Sequence, residues 1–175
     1  HMEGVDKAYQ TSISISDKQQ AISLSLPARP LQLDVDPEFD VFRRLHRNEI
    51  PPAVSQAMGA EQVLVILPGK AGTDLAEAYR ALATRWQQEK PGHVDIVVDS
   101  EVQTLPNDRA VWLFGWENRF RPELSAALQA YDITRSGDNV RIAGTTLSAQ
   151  SHSLAVLGRH PENPDQALGW LAADT

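Results

Sequence analysis

The first third of the chain alternates between apolar and polar residues with a period of two. The alternation runs through residues 12–16, 22–26 and 31–35. Successive side chains of a β-strand point to opposite faces of the sheet, so this pattern is typical of strands with one buried face. The sequence therefore predicts that residues 1–36 form a small antiparallel β unit of three strands, of the kind that ends a β-sandwich.

A helical connector is predicted next, over residues 37–60. Asp36 can cap a first short helix that has Pro37 at its start. Pro52 can open a second short helix, and Gly59 can end it. We therefore expect two short helices between the β unit and the rest of the chain.

Short apolar runs alternate with helical spacing in the remainder of the sequence. Strands are predicted at residues 63–67, 94–98, 110–114, 140–143 and 154–157, helices at residues 73–90 and 122–131, and residues 167–172 fit either a strand or a helix. Thr73 or Asp74 is the predicted cap of the longer helix. Strands that alternate with helices form a largely parallel sheet through right-handed crossovers. We expect residues 61–175 to form a three-layered α/β domain with a terminal hairpin, in a chain that is α+β overall.

The composition is that of an ordinary globular protein, with 42% hydrophobic and 22% charged residues in a chain of 175. The formal charge of −7 argues against nucleic acid as a partner, because binding to it requires a basic surface. The local basic cluster at residues 43–47 is interpreted as a solvated helix face with neighbouring carboxylates.

Other features of the composition exclude further classes. No apolar run approaches the ~20 residues that span a bilayer, so membrane insertion is not expected. Cysteine is absent, which excludes disulfides and thiolate chemistry. His1 and Met2 resemble the remnant of a cloning site, so we expect the chain to be an excised domain.

Five residues near the predicted carboxyl ends of strands are candidate ligand-binding residues. Lys70 and Thr73 lie in a loop between a strand and a helix, where phosphates bind in many α/β proteins, but the loop lacks the order of a phosphate-binding loop. Trp116, Asn118 and Arg119 follow the third strand of the α/β region, at the edge where open α/β sheets bind ligands. Core packing is the preferred explanation for Trp116, with ligand binding as the alternative.

No catalytic or metal-binding residue is predicted in this chain. The histidines lack the spacing of zinc ligands, and His152 and His160 lie at opposite ends of one predicted strand, about 25 Å apart. Ser151 and His152 have no acid placed to complete a catalytic triad. Acidic residues at 34–40 alternate as in a calcium loop but lack its glycine and its final glutamate. We therefore expect no metal and no cofactor in this chain.

Three segments resemble parts of a known family of peptidases. Residues 31–45, LQLDVDPEFDVFRRL, are similar to the end of the β-sandwich domain in bacterial aminopeptidase-N-like zinc peptidases, where a last strand commonly runs into Asp-Pro. Residues 110–118, AVWLFGWEN, and residues 156–164, VLGRHPENP, resemble the α/β segment of large multidomain bacterial envelope peptidases. In that segment an asparagine follows the strand, and an Asn-Pro turn follows the later hairpin.

The resemblance implies a non-catalytic structural or accessory domain of a larger bacterial metallopeptidase, which positions or links catalytic domains. The zinc motif HExxH of the family is not in this chain, so zinc would belong to the parent protein, and neighbouring domains would be the partners. The resemblance also implies the bacterial periplasm or cell envelope. The residues themselves leave two alternatives open: a module that binds a peptide or small ligand, and a hydrolase with an unrecognised site.

Overall fold

The structure is a computed structural model, and it divides the chain into two compact units, residues 1–45 and residues 46–175. The described residues are 2–45, 49–129, 131, 133–142 and 144–174. Every helix and strand of these described residues belongs to the second unit.

The described residues of the second unit form three α-helices, a 3-10 helix at Asp99–Glu101 and two sheets. The helices are α1 (Val54–Met58), α2 (Thr73–Glu89) and α3 (Arg121–Gln129). The strands are β1 (Gln62–Leu67), β2 (His93–Val98), β3 (Ala110–Phe114), β4 (Ile133–Ser136), β5 (Asn139–Ile142), β6 (Thr145–Ser148), β7 (Leu154–Arg159) and β8 (Ala167–Ala172). The larger sheet has the order β2-β1-β3-β8-β7, and β4, β5 and β6 form a separate antiparallel sheet. In the larger sheet β7 alone runs antiparallel to its neighbour, β8.

The larger sheet is buried on both faces, which gives the unit its layers. One face packs against α1 and α2, where Val65 and Trp112 of the sheet and Tyr79 of α2 are buried. The opposite face packs against α3, and its buried side chains include Ile66 and Leu113. Continuous apolar runs such as β1 are typical of strands that are covered on both sides.

The predicted α/β class and the mostly parallel sheet are confirmed. A terminal antiparallel hairpin is present as β7 and β8, and it encloses the Asn-Pro turn that the resemblance places after a hairpin. Residues 167–172 form a strand, the first of their two predicted alternatives. The sequence analysis missed β4 and β6, because their serine and threonine residues interrupt the apolar pattern, although threonine is common in strands. Ala143, predicted to end a strand, lies outside the described residues.

The three strands predicted in residues 1–36 do not form. Among the described residues of this unit, β-pairing is limited to two isolated bridges, which join Met2 to Val5 and to Pro30. The apolar side chains of the alternating pattern are largely exposed to solvent, for example Ile15 at 65%. A three-stranded sheet with one apolar face needs a surface on which to bury that face, and the described part of this unit supplies none.

The first helix predicted in the connector does not form either. Asp36 and Phe39 adopt positive φ angles of 55° and 59°, which interrupt an α-helix. The Asp36 carboxylate accepts hydrogen bonds from the backbone N–H groups of Asp40 (2.8 Å) and Val41 (3.1 Å), and Arg43 forms an ion pair with it at 3.7 Å. Asp36 therefore closes a turn instead of capping a helix.

The remaining predictions about helix ends have mixed outcomes. The second short helix of the connector is present as α1 and ends at Gly59. Neither Thr73 nor Asp74 caps α2, because the helix already begins at Thr73 and Gly72 occupies the cap position. The basic cluster at residues 43–47 does not lie on a helix over its described positions, and His46 and Arg47 lie outside the described residues.

The described residues contain no helix with both the length and the apolar character needed to cross a membrane.

A tryptophan ring lies directly over a glycine in the centre of the larger sheet. Trp112 on β3 is opposite Gly169 on β8. A Cβ atom at Gly169 would lie 2.5 Å from the ring atoms Cδ2 and Cε3 of Trp112, well inside van der Waals contact. Trp112 also meets Trp86 of α2 edge to face, with ring centroids 5.3 Å apart, so its ring is held from the other side. Residue 169 therefore has to be glycine for this packing to exist.

Replacement of this glycine tests the packing. We expect Gly169→Ala to lower the free energy of unfolding by roughly 1–3 kcal/mol, because the new methyl group forces the indole and α2 outward. Urea denaturation followed by tryptophan fluorescence measures the loss. The matched control is Gly158→Ala on the adjacent strand, where the new Cβ would lie 3.3 Å from the flexible end of Leu128. Equal losses in the two variants would show that the Trp112 contact is not the constraint.

Candidate functional site

The connections that leave β1 and β3 turn to opposite faces of the larger sheet. β1 is followed by α2, which packs on one face, and β3 is followed by α3, which packs on the other. Because β1 and β3 are neighbouring parallel strands, a crevice is expected outside their carboxyl ends. In open α/β sheets this is the usual position of a ligand site, so the residues around it define the candidate site.

The side-chain amide of Asn118 joins the carboxyl ends of these two strands. Its Nδ2 donates hydrogen bonds to the carbonyl oxygens of Ile66 (2.9 Å) and Phe114 (3.1 Å). Its Oδ1 accepts a hydrogen bond from the backbone N–H of Phe120 (3.2 Å). Asn118 is only 1% exposed, and both ends of its amide are engaged by the backbone. The amide therefore serves as a clamp within the protein.

A buried carboxylate connects the loops that follow the same two strands. Asp99 comes directly after β2 and is 5% exposed. Its Oδ1 accepts a hydrogen bond from the backbone N–H of Gly69, and its Oδ2 accepts one from the backbone N–H of Arg119, both at 3.0 Å. Hydrogen bonds to a charged acceptor offset the cost of burying the charge. The carboxylate thus fixes the spacing of the two loops.

Asp99 is a residue that the sequence analysis missed. The sequence contains a feature that could have identified it, because Asp99 directly follows an apolar strand. Trp116 lies in the equivalent place, two residues after another apolar strand. The carboxyl ends of parallel strands lie at one edge of the sheet, where ligands bind, so Asp99 is placed there just as residues 116–119 are. Its partners could not be identified from the sequence, because they are backbone groups on distant loops.

Two of the predicted ligand-binding residues contact the protein itself: Trp116 from a buried position and Arg119 from an exposed one. Trp116 is 4% exposed and meets Trp170 edge to face, with ring centroids 5.1 Å apart, so core packing accounts for its ring. Arg119 is exposed, and its Nη2 donates to the carbonyl oxygen of Gln103 (3.3 Å). The Arg119 guanidinium carbon also lies 5.0 Å from the ring centroid of Phe120.

The other two candidates, Lys70 and Thr73, are exposed in the connection between β1 and α2. Lys70 lies in the turn and Thr73 is the first residue of α2. The structure therefore places all five predicted residues on the two loops at one edge of the sheet. Trp116 and Asn118 are engaged in packing and backbone contacts, and Lys70, Thr73 and Arg119 face solvent.

Tyr79 ties α2 to the segment after β8. Its hydroxyl donates to the carbonyl oxygen of Ala173 and accepts from the backbone N–H of the same residue, both at 2.8 Å. Burial raises the pKa of Tyr79, and the carboxylates of Glu117 and Asp174 act in the same direction, against the opposing effect of the bond to Ala173. Tyr79 therefore remains a neutral phenol, suited to this pair of contacts and not to service as a base.

A buried histidine lies away from this edge, at the amino end of β8. His160 is 1% exposed, its Nδ1 accepts from the backbone N–H of Glu162 (3.2 Å), and burial lowers its pKa against the weaker effect of the Glu162 carboxylate. The strand β7 separates His160 from His152. Across the described ranges, no three histidine or carboxylate side chains gather in a way that could hold a metal ion.

A surface depression of about 620 Å³ lies away from this edge. It is lined by seven residues of α2: Glu77, Arg80, Ala81, Thr84, Arg85, Gln88 and Glu89. Arg85 and Glu89 form an exposed i,i+4 ion pair across it at 2.8 Å. A furrow between polar side chains of one helix is the ordinary solvated surface of an amphipathic helix, so it does not define a site.

Substitution of the buried carboxylate tests whether it holds the two loops. We expect Asp99→Asn to lower the free energy of unfolding by about 1–3 kcal/mol, because one backbone N–H would then face an amide group instead of an acceptor. The matched control is Glu101→Gln in the same turn. The exposed Glu101 carboxylate accepts from the backbone N–H of Val98 at 2.9 Å, and glutamine preserves that acceptor. Chemical denaturation that shows equal stability for the two variants would contradict the role of Asp99.

No protein-family model, curated protein or solved structure matches this chain. The resemblance to the accessory region of aminopeptidase-N-like peptidases therefore stays a prediction based on its three segments.

Proposed function

We propose that this chain is a non-catalytic accessory module of a larger bacterial metallopeptidase, in which it positions or links other domains. The proposal is based on the hydrogen bonding of buried polar side chains at the carboxyl edge of the larger sheet. Sheets of this kind ordinarily present catalytic or ligand-binding groups there. In this chain three buried polar side chains of that edge, those of Asn118, Asp99 and Tyr79, are bonded to the protein's own backbone.

The segments that resemble the peptidase family have structural roles, which supports the proposal. Asn118, the asparagine after the strand, clamps β1 to β3. Asn163, in the later Asn-Pro turn, donates through Nδ2 to the carbonyl oxygen of Asn107 (2.7 Å) and accepts through Oδ1 from the backbone N–H of Asp165 (3.1 Å). Residues that hold loops in place are expected in a scaffold and do not require a reaction to explain them.

The exposed apolar side chains of the first unit favour neighbouring domains of the parent protein as its partners. Its alternating apolar side chains are exposed, and alternate positions of an extended chain project on one side. Ile13 is 42% exposed and Ile15 is 65% exposed, so both have apolar surface to bury. Pairing with a β-sandwich in the parent protein would bury this surface and satisfy the backbone of the segment. We therefore propose that an upstream β-sandwich of the parent chain covers this apolar surface.

The two alternative functions have less support. A peptide-binding or small-ligand-binding module at the same edge would have to use Lys70, Thr73 and Arg119, since Trp116 and Asn118 are engaged within the protein. A hydrolase would need a nucleophile or activated water, a base and a charge stabiliser within reach of one another. The edge residues that the structure describes do not supply that set.

Activity and metal measurements test the non-catalytic assignment. We expect the purified chain to hydrolyse amide and ester substrates no faster than buffer, with or without added zinc, because Asn118, Asp99 and Tyr79 at the carboxyl edge are bonded to the backbone. After dialysis, metal analysis is expected to find no stoichiometric zinc. Turnover, or stoichiometric zinc that is lost in His160→Ala but kept in the exposed His93→Ala, would overturn the assignment.

A second measurement tests the proposed partner. In the longer parent protein, we expect Ile13→Ser combined with Ile15→Ser to lower the melting temperature and to speed proteolysis of the first unit, because two apolar side chains would be lost from the sheet interface. The control is Ser12→Thr combined with Ser14→Thr, on the opposite face of the same predicted strand. In the isolated chain neither pair is expected to change stability. Equal effects of the two pairs in the parent protein would contradict a one-sided interface.

A further inference from the structure

Three arginines line a depression where α3 begins beside the β4–β5 turn. The depression has a volume of about 470 Å³, and its lining includes Arg119, Arg121, Arg135, Ser125 and Asp138. Its lining contains three arginines and one acidic residue, in a chain whose formal charge is −7. The depression is therefore a local concentration of positive charge on an acidic protein.

Two of these arginines are held in place by the backbone. Arg119 donates through Nη2 to the carbonyl oxygen of Gln103, and Arg121 donates through Nη1 to the carbonyl oxygen of Trp116, both at 3.3 Å. A guanidinium has five N–H donors, so each retains others after this contact. Within the described residues, no ion pair joins Arg119, Arg121 or Arg135 to a carboxylate.

Of the three arginines, Arg135 has the fewest hydrogen-bond acceptors among the described residues to offset the burial of its guanidinium group. Its side chain is half-buried, and its Nε atom is buried without a hydrogen-bond partner among the described residues. Burial, and after it the like charge of Arg121, lowers the pKa of Arg135, against the weaker effects of Asp138 and Glu117. A buried donor without an acceptor and two neighbouring like charges both cost free energy. An anion between the arginines would relieve the repulsion between their charges.

From this geometry we propose that the depression binds a dianionic tetrahedral oxyanion, either inorganic phosphate or the phosphate group of a small phosphorylated molecule. Several guanidinium groups around one site match the charge and the multiple acceptors of such a group. The acidic charge of the whole chain repels a long polyanion, whereas a small dianion responds mainly to the local arginines. The Ser125 hydroxyl in the lining provides a neutral donor. This site goes beyond the proposed accessory function and does not depend on it.

Calorimetric titration of the whole chain tests the proposal, with inorganic phosphate and phenyl phosphate as probes. We expect one site, with binding weakened roughly tenfold or more in Arg135→Gln, because a charge-assisted contact is lost. The matched control is Arg141→Gln on the exposed face of β5, outside the depression, which should bind as the unchanged chain does. Where Arg135→Gln does not fold by circular dichroism, Arg121→Gln, at an exposed position, carries the same expectation.

The pH dependence separates a dianion site from general charge attraction. A phosphate monoester loses its second proton near pH 6 and inorganic phosphate about one unit higher, so binding of both probes should strengthen from pH 5.5 to pH 8. Sulfate, a dianion at both values, should bind equally at both. Tighter binding of phenyl phosphate than of inorganic phosphate would identify a phosphorylated molecule as the natural source. Absence of phosphate binding, equal loss in Arg141→Gln, or binding of an acidic peptide alone would overturn the proposal.

Discussion

The second unit depends on how the carboxyl ends of β1 and β3 are held at the edge of the larger sheet. The connections from these strands turn to opposite faces, so the polar backbone groups between them have no regular partner. Asn118 supplies one by donating to the carbonyl oxygens of Ile66 and Phe114 from a buried position. Asp99 supplies another by accepting from the loops beyond both strands. Without these contacts, buried backbone groups would lose their hydrogen bonds.

The sequence predicts the strands of the larger sheet well because burial on both faces produces long apolar runs. β3 matches its predicted bounds, and α2 follows from its apolar spacing. The first unit shows where this reasoning fails. Alternation at residues 12–35 predicts which side chains could share a face, but a strand also needs a neighbour for its backbone. That neighbour is not encoded in the local pattern.

The sequence predicts the position of the candidate site in the fold but not what its side chains contact there. The carboxyl edge of the sheet follows from strand order, and all five predicted residues lie there. The pattern could not distinguish a side chain that faces a ligand from one that faces the backbone, since both are polar residues after an apolar strand. Arg135 illustrates the limit most clearly, because it comes from a strand that the apolar pattern missed and meets Arg121 only through the tertiary fold.

The shared carboxylate of Asp99 has a dynamic consequence. The backbone amides of Gly69 and Arg119 belong to loops far apart in sequence, yet each is protected by an oxygen of the same side chain. Rotation of that carboxylate out of its buried position exposes both amides at once. We therefore expect the two loops to open together, so that their amide protons exchange with solvent through a common event.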